Sequence, residues 1–428
     1  MKIAMTLATL LLTATLAAQG THVYPFAPTT NTPIEVHYLS GCLAGSHAIL
    51  LDGNDITITI RDPQCVLVLP IPFVEKVKLP PLPAGVYNIT INQELDPFFI
   101  TGTRLVVRNA GMKPFELHPA EVDSSDDDLV HLDGIGCKKA DCSDVTVRVD
   151  GEPVGVSFTT NGTISFTAPF HESGLVDVSV QQGDVVTTSP AALYYMHEDS
   201  SERNLAGVTP ILFPVVHTVD GAFGSRWESA LTVSNPRPWE VDPEYTLNNV
   251  GPCIGPCDPP FGPKFLRTYT HGYPHGTVMW ARQSEAADLA FSLRIRDVSQ
   301  EEQGWGAAVP VVRGHDFIHG KNIHLLDVPL DPRYRVKVRV YMIEPVLAPS
   351  PTGVVRFRRG DQLLTMPFTL ANAENGLRLV PYYAEVDLPQ GAANERVHVE
   401  VVMPLDATGW AFASVTNNET QQVTIVAP

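Results

Sequence analysis

Three observations predict an all-β fold laid out as a row of sandwiches. Prolines (37) and glycines (31) punctuate the 428 residues, leaving short stretches rich in valine, threonine and isoleucine, the types that suit a pleated, half-buried surface. Those stretches alternate apolar and polar residues with the period of two that a strand requires, as in "DITITIR" and "YRVKVRVYMIE". The length exceeds what a single core fills, so several domains are expected.

Residues 1–19 open with Lys2, run apolar from Ile3 to Leu16 and end in small residues around Ala17 and Ala18. That layout is expected to be a secretory signal peptide, its apolar core being short for a membrane span; a retained N-terminal anchor is the alternative. No later stretch has eighteen uninterrupted apolar residues. The expectation is a chain outside the cytoplasm, secreted, extracellular or at the cell surface, with the periplasm as a variant and no membrane span in the mature chain. The net charge of -18 argues against a general nucleic-acid partner, because phosphate binding relies on lysine and arginine releasing counterions.

Residues 20–110 carry seven candidate strands, among them "IEVHYL", "DITITIR", "GVYNITIN" and "TRLVVR", parted by turns such as "DGND" and "PLPAG". Seven short strands in this length have the rhythm of an immunoglobulin-like β-sandwich, and the whole chain is expected to be a tandem of such sandwiches. Gly85 is placed to turn the chain ahead of Val86, Tyr87 and Ile89.

A second module spans 111–197. It has an early strand leading to Gly134 and Gly136, a strand ending in Ala168 and Pro169, and then "GLVDVSV". On these residues the module resembles the IPT/TIG family of immunoglobulin-like domains, which implies a sandwich fold; the insertion "CKKADC" departs from that pattern. Residues 198–204 lack periodicity and read as a linker. The remainder is divided near Asp331–Pro332 into a β-sandwich over 205–331 and a C-terminal immunoglobulin-like sandwich over 332–428, with one tightly packed unit as the alternative. The segments around "ILFPVVHTVDGAFGSRWESALTVSNP" and "WAFASVTNNETQQVTIVAP" resemble parts of modular extracellular bacterial proteins. That resemblance implies secretion and β architecture, and no reaction.

Six cysteines permit fifteen pairings. Cys42 with Cys65, Cys137 with Cys142, and Cys253 with Cys257 each fall inside one predicted module, so local disulfides are the economical assignment for an oxidising compartment. The longest of these loops would contribute about 3 kcal/mol by chain entropy. Cys253 and Cys257 also precede His271 and His275 at a spacing close to that of a zinc finger, but Gly272 and Pro274 oppose the helix that such histidines need. The expected state is a disulfide with no metal.

Two further clusters can be weighed. His315, Asp316, His319 and His324 lie close in sequence, but in a strand-and-loop pattern flanked by glycines, and are read as surface histidines. The acidic stretch 121–128, with Glu121, Asp123, Asp126, Asp127 and Asp128, lacks the offsets of an EF-hand and is read as a solvated linker, with Ca²⁺ binding as the alternative. No nucleophile elbow or phosphate loop occurs, and no cofactor is expected.

Trp239 in "PRPWE" and Trp305 in "EEQGWGAA" fall in predicted loops and are the candidate ligand-binding residues, whereas Trp227, Trp280 and Trp410 sit in strand patterns and are assigned to cores. The leading functional expectation is a non-enzymatic modular protein for spacing, adhesion or protein interaction, with an extracellular protein or glycan as partner. A carbohydrate-binding protein using loop aromatics, and a secreted hydrolase, are the alternatives.

Overall fold

The structure is a computed structural model and describes residues 22–24, 28–40, 46–61, 73–93, 96–111, 113–124, 128–135, 145–158, 163–196, 208–215, 217–221, 224–241, 261–270, 275–299, 305–343, 351–371, 380–404 and 407–428. The signal-like residues 1–19, the linker 198–204 and all six cysteines lie outside these. Strands dominate, and the α-helix Gln283–Asp288 has six residues. The chain divides into two compact units: Met1–Thr209 with Arg282–Ser284, and Pro210–Ala281 with Glu285–Pro428.

The first unit contains two cores. One is built by Ile34, Val36, Tyr38, Ile56, Ile58, Ile60, Ile89, Ile91 and their neighbours. Its four-stranded sheet runs Ser46–Asp52, Asp55–Arg61, Gly85–Gln93 and Asp96–Val107, and the three-stranded sheet runs His22–Tyr24, Glu35–Ser40 and Phe73–Lys78. Alternation decides which residues point inward: in Asp55–Arg61 the three isoleucines are buried and the threonines lie half out. The phenol of Tyr87 donates to the carbonyl of Pro83 at 3.0 Å, a tyrosine corner of the kind immunoglobulin-like sandwiches use. Gly85 fits there because a Cβ would lie 3.2 Å from the Tyr87 ring.

The second core gathers Phe115, Leu117, Val130, Val147, Ile164, Phe166, Val178 and Tyr195, among others. A four-stranded sheet (Val156–Phe158, Ile164–Thr167, Leu129–Asp133, Glu116–His118) faces a five-stranded one (Glu152–Val154, Val145–Val149, Gly174–Gln182, Val185–Met196, Glu121–Asp123). Asp150 and Gly151, at φ 48° and 82°, form the two-residue turn that joins two of these strands, as the sequence Asp-Gly favours.

The two sandwiches of this unit meet around Arg108, which follows strand Asp96–Val107. Its guanidinium donates to the carbonyls of Ala192 (3.3 Å) and Ala120 (3.4 Å) and to Glu121 Oε1 (2.5 Å). It also lies 6.0 Å from the ring centre of Tyr194. Val106, Tyr194 and Met196 pack beside it as a small cluster. Glu121, read from sequence as part of a solvated acidic linker, is only 2 % exposed and opens strand Glu121–Asp123. The correction has a physical reason: a buried carboxylate needs a charged partner, and Arg108 supplies it from thirteen residues upstream. Asp126 and Asp127 lie outside the described residues.

The second unit also has two cores. Ile211, Phe213, Leu231, Val233, Trp239, Met279, Leu293 and Val309 contribute to one, and Ile323, Leu325, Val338, Val340, Phe357, Val399 and Val401 to the other. Strand Ile323–Pro329 pairs with Arg396–Val402, so the last core begins ahead of Asp331–Pro332, where the sequence reading places the division. Asp331 instead braces a turn: its carboxylate accepts from Arg333 and from the Asn394 backbone, which hold it well below the usual carboxylate range. The two cores meet around Tyr341 and Tyr383, where His275 stacks on Tyr383 and the Arg339–Glu385 pair lies alongside. Tyr341, fully buried, stacks with Phe412 at 6.2 Å and donates its phenol to the carbonyl of Pro214 at 2.7 Å.

Candidate functional site

The site is built on the sheet Thr218–Asp220, Arg226–Ser234, Ala290–Asp297 and Ala307–Val309, with Leu266–Tyr269 also paired to Arg226–Ser234. Leu231, Val233 and Leu293 enter the core, so the alternate residues form the opposite face. Register places Thr268 beside Thr232 and Thr232 beside Ser292 in one row. The next rows are Ala230, Arg294 and Ala308, then Glu228 and Arg296. Hydroxyls keep the first row low, and in the second two alanines flank Arg294. Thr232 and Thr268 share a hydrogen bond at 3.0 Å, and Arg296 donates to Glu228 at 2.8 Å.

At the end of this face stands Trp305, 80 % exposed. Water does not favour a free indole, and its pose is supported from two sides. The Arg294 guanidinium lies 4.9 Å from the indole centre, within cation–π range, and reaches toward the carbonyls of Trp305 (3.5 Å) and Gly306 (3.4 Å). Gly306 has φ +79°, and a Cβ there would lie 2.6 Å from the Ile295 carbonyl, so only glycine lets the chain pass this close to the neighbouring strand. The result is an aromatic plate backed by a cation, on a sheet face that also carries a row of hydroxyls.

The other sequence candidates go elsewhere. Trp239, expected in an exposed loop, is 6 % exposed and belongs to a core. The prolines of "PRPWE" do produce a loop, but Asn235 folds it inward: its amide donates to the carbonyls of Trp239 and Phe261, both at 2.7 Å. Arg237 covers the indole at 5.5 Å while pairing with Asp288. Trp280 and Trp410 are buried, and Trp227 is half-buried. His315 is exposed beside Asp316, His319 bonds Thr408 at 2.7 Å, and His324 meets His398 at 3.0 Å, so the sequence cluster is spread over different neighbours. Among the described residues no three His, Cys, Asp or Glu side chains form a group that could hold a metal. His275 stacks on Tyr383, while its sequence partners His271, Cys253 and Cys257 lie outside the described residues.

Among the described residues, the carboxylates that depart from their ordinary titration move down. Arg356 hydrogen bonds hold Glu400 at about 2, and the Ala392 backbone with Arg359 lowers Glu395. Such groups are fixed anions; a general acid needs a carboxyl pushed up.

Residues 96–195 match the family model of the IPT/TIG domain. The second sandwich is therefore an immunoglobulin-like module of that type, and the match opens on strand Asp96–Val107, ahead of residue 111. Among solved structures the chain aligns with SGBP-B from a complex xyloglucan utilization locus in Bacteroides uniformis, at 9 % identity over 96 % of this chain and 99 % of that one. The TM-score is 0.16, too low to carry an argument. No curated protein matches the chain. Among the described residues no helix is long and apolar enough to cross a membrane, which leaves β-barrels unaddressed.

Proposed function

We propose that the protein is a non-enzymatic, modular protein of the cell exterior, secreted or held at the surface, whose immunoglobulin-like sandwiches space and present contact surfaces. The face that ends in Trp305 is one of those surfaces. The observation that carries this reading is the exposed indole itself: a large ring kept in water by a stacked arginine and a turn only glycine can make. Exposed tryptophans that are rigid before binding lose little entropy on contact and anchor interfaces.

A second reading, carbohydrate binding at the same face, is favoured by the hydroxyl row of Thr232, Thr268 and Ser292 next to the row of Arg294. Aromatic plates take the apolar faces of sugar rings, and hydroxyls pair with sugar hydroxyls. A glycan array probed with the wild type and Trp305→Ala separates the two. Sugar binding lost in the variant supports the second reading. Its absence in the wild type removes that reading and leaves a protein partner. Crosslinking at Trp305 on intact cells then tests the first reading: no captured partner, with Trp305→Ala matching the wild type in surface retention, would end it.

A further inference from the structure

On the C-terminal sandwich, strands Ile323–Pro329 and Arg396–Val402 pair antiparallel. His324 and His398 project from them on the solvent side, both exposed, with Nδ1 of the first 3.0 Å from Nε2 of the second and ring centres 5.0 Å apart. Two ring nitrogens at this separation can share one proton, or both can bind one metal ion. With metal–nitrogen bonds of about 2.05 Å, the observed spacing subtends about 95° at the ion, whereas a tetrahedral ion asks for about 3.3 Å between nitrogens. Near-right-angle imidazole ligation is the preference of Cu²⁺ and Ni²⁺.

The surroundings favour a cation. Glu400 stands opposite His324 in register, and its carboxylate is held in place by Asn322 and Arg356. Ile323–Pro329 is the outer strand of its sheet and carries a register shift between Leu325 and Val328, which leaves room for water on the ion. A chain charge of -18 adds long-range attraction. We propose that His324 and His398 form a surface site for a divalent transition-metal ion of the Cu²⁺ or Ni²⁺ type, held by two imidazole nitrogens and completed by water. It is separate from the Trp305 face and does not depend on what that face binds.

The test titrates the full chain, without any added histidine tag, with CuCl₂ and with NiCl₂ near neutral pH by calorimetry, beside His324→Gln and His398→Gln. The wild type is expected to take up one equivalent that each variant binds at least about tenfold more weakly, the scale on which even outer-shell partners matter. His315→Gln, an exposed histidine elsewhere on the unit, should retain that equivalent. Electron paramagnetic resonance of the Cu²⁺ form should report two equivalent-class nitrogens in the wild type and one in the variants. No saturable uptake by the wild type, or an equivalent that survives either substitution, overturns the proposal. Both histidines are exposed, and melting curves verify that the variants remain folded.

Discussion

The two units join their sandwiches by different means. In the first, Arg108 carries a full charge into the neighbouring sandwich and is met there by Glu121 and two carbonyls. In the second, the joint is built on rings: Tyr341 donates its phenol to the Pro214 carbonyl and His275 stacks on Tyr383, with the Arg339–Glu385 pair beside them. A buried ion pair contributes little net stability but is costly to break on one side, whereas ring packing degrades by increments. The first joint should therefore be all-or-none and chemically specific, the second tolerant.

The sharpest way to break this contrast is Arg108→Met, which takes the charged partner from the buried Glu121 carboxylate and leaves it the Ser284 hydroxyl and backbone N–H as donors. The expected loss is about 3–5 kcal/mol, read as reduced hydrogen-exchange protection in the first unit with the second unchanged. Adding Glu121→Met should return much of it; a double variant no better than the single one would mean that the carbonyl contacts of Arg108, and not its charge, hold the joint.

Acid should separate the units next. His131 is 7 % exposed, its Nδ1 bonded to Ser165, and burial together with neighbouring His118 lowers its pKa from 6.5 to about 4. Since the folded value is depressed, the unfolded state binds the proton first. The contribution is whole above pH 6.5 and is lost as pH falls toward 4, up to about 3 kcal/mol. Denaturant titrations across that window should show the loss, and His131→Gln should flatten it.

Tyr341→Phe removes the hydroxyl that donates to Pro214 and bonds Arg339, and is expected to cost about 1–2 kcal/mol in the second unit. Burial raises the phenol pKa, so the bond and the cost should not change between pH 6 and 9. Smallest of all, Trp305→Ala should shift stability by less than about 0.5 kcal/mol, because an exposed ring gives the core nothing. A larger loss would make Trp305 a structural residue and remove it as a contact anchor.

Much of the fold was readable because strands declare themselves locally. "DITITIR", "GVYNITIN" and "YRVKVRVYMIE" coincide with Asp55–Arg61, Gly85–Gln93 and Tyr334–Met342 to within two residues. The motif "GLVDVSV" lies in Gly174–Gln182 of the matched IPT/TIG segment. What stayed hidden was non-local. The six-residue helix Gln283–Asp288 directly follows a strand, too short for its period to register. Trp239 was misplaced because prolines announce a loop but not where the loop folds, and the signal that could have corrected it is Asn235, four residues before the tryptophan and free to bind loop carbonyls. Trp305 was readable as a loop aromatic, yet its support by Arg294 depends on strand register, which alternation alone does not give. His324 drew notice for its sequence neighbours, while its ring partner His398 lies 74 residues on.

Arg108 also bears on the order in which the chain acquires its structure. Synthesis delivers the first sandwich complete through Val107, but the acceptor at Ala192 arrives 84 residues later than the arginine. N-terminal domains generally fold first as the chain emerges, so for that interval the guanidinium can have Ala120 and Glu121, made twelve and thirteen residues later, but not the Ala192 carbonyl, and the first sandwich carries a half-made joint. Closure waits for the last strand of the second. A chain interrupted between the two would present a folded sandwich with that joint half made, a state that quality control could tell from the finished pair.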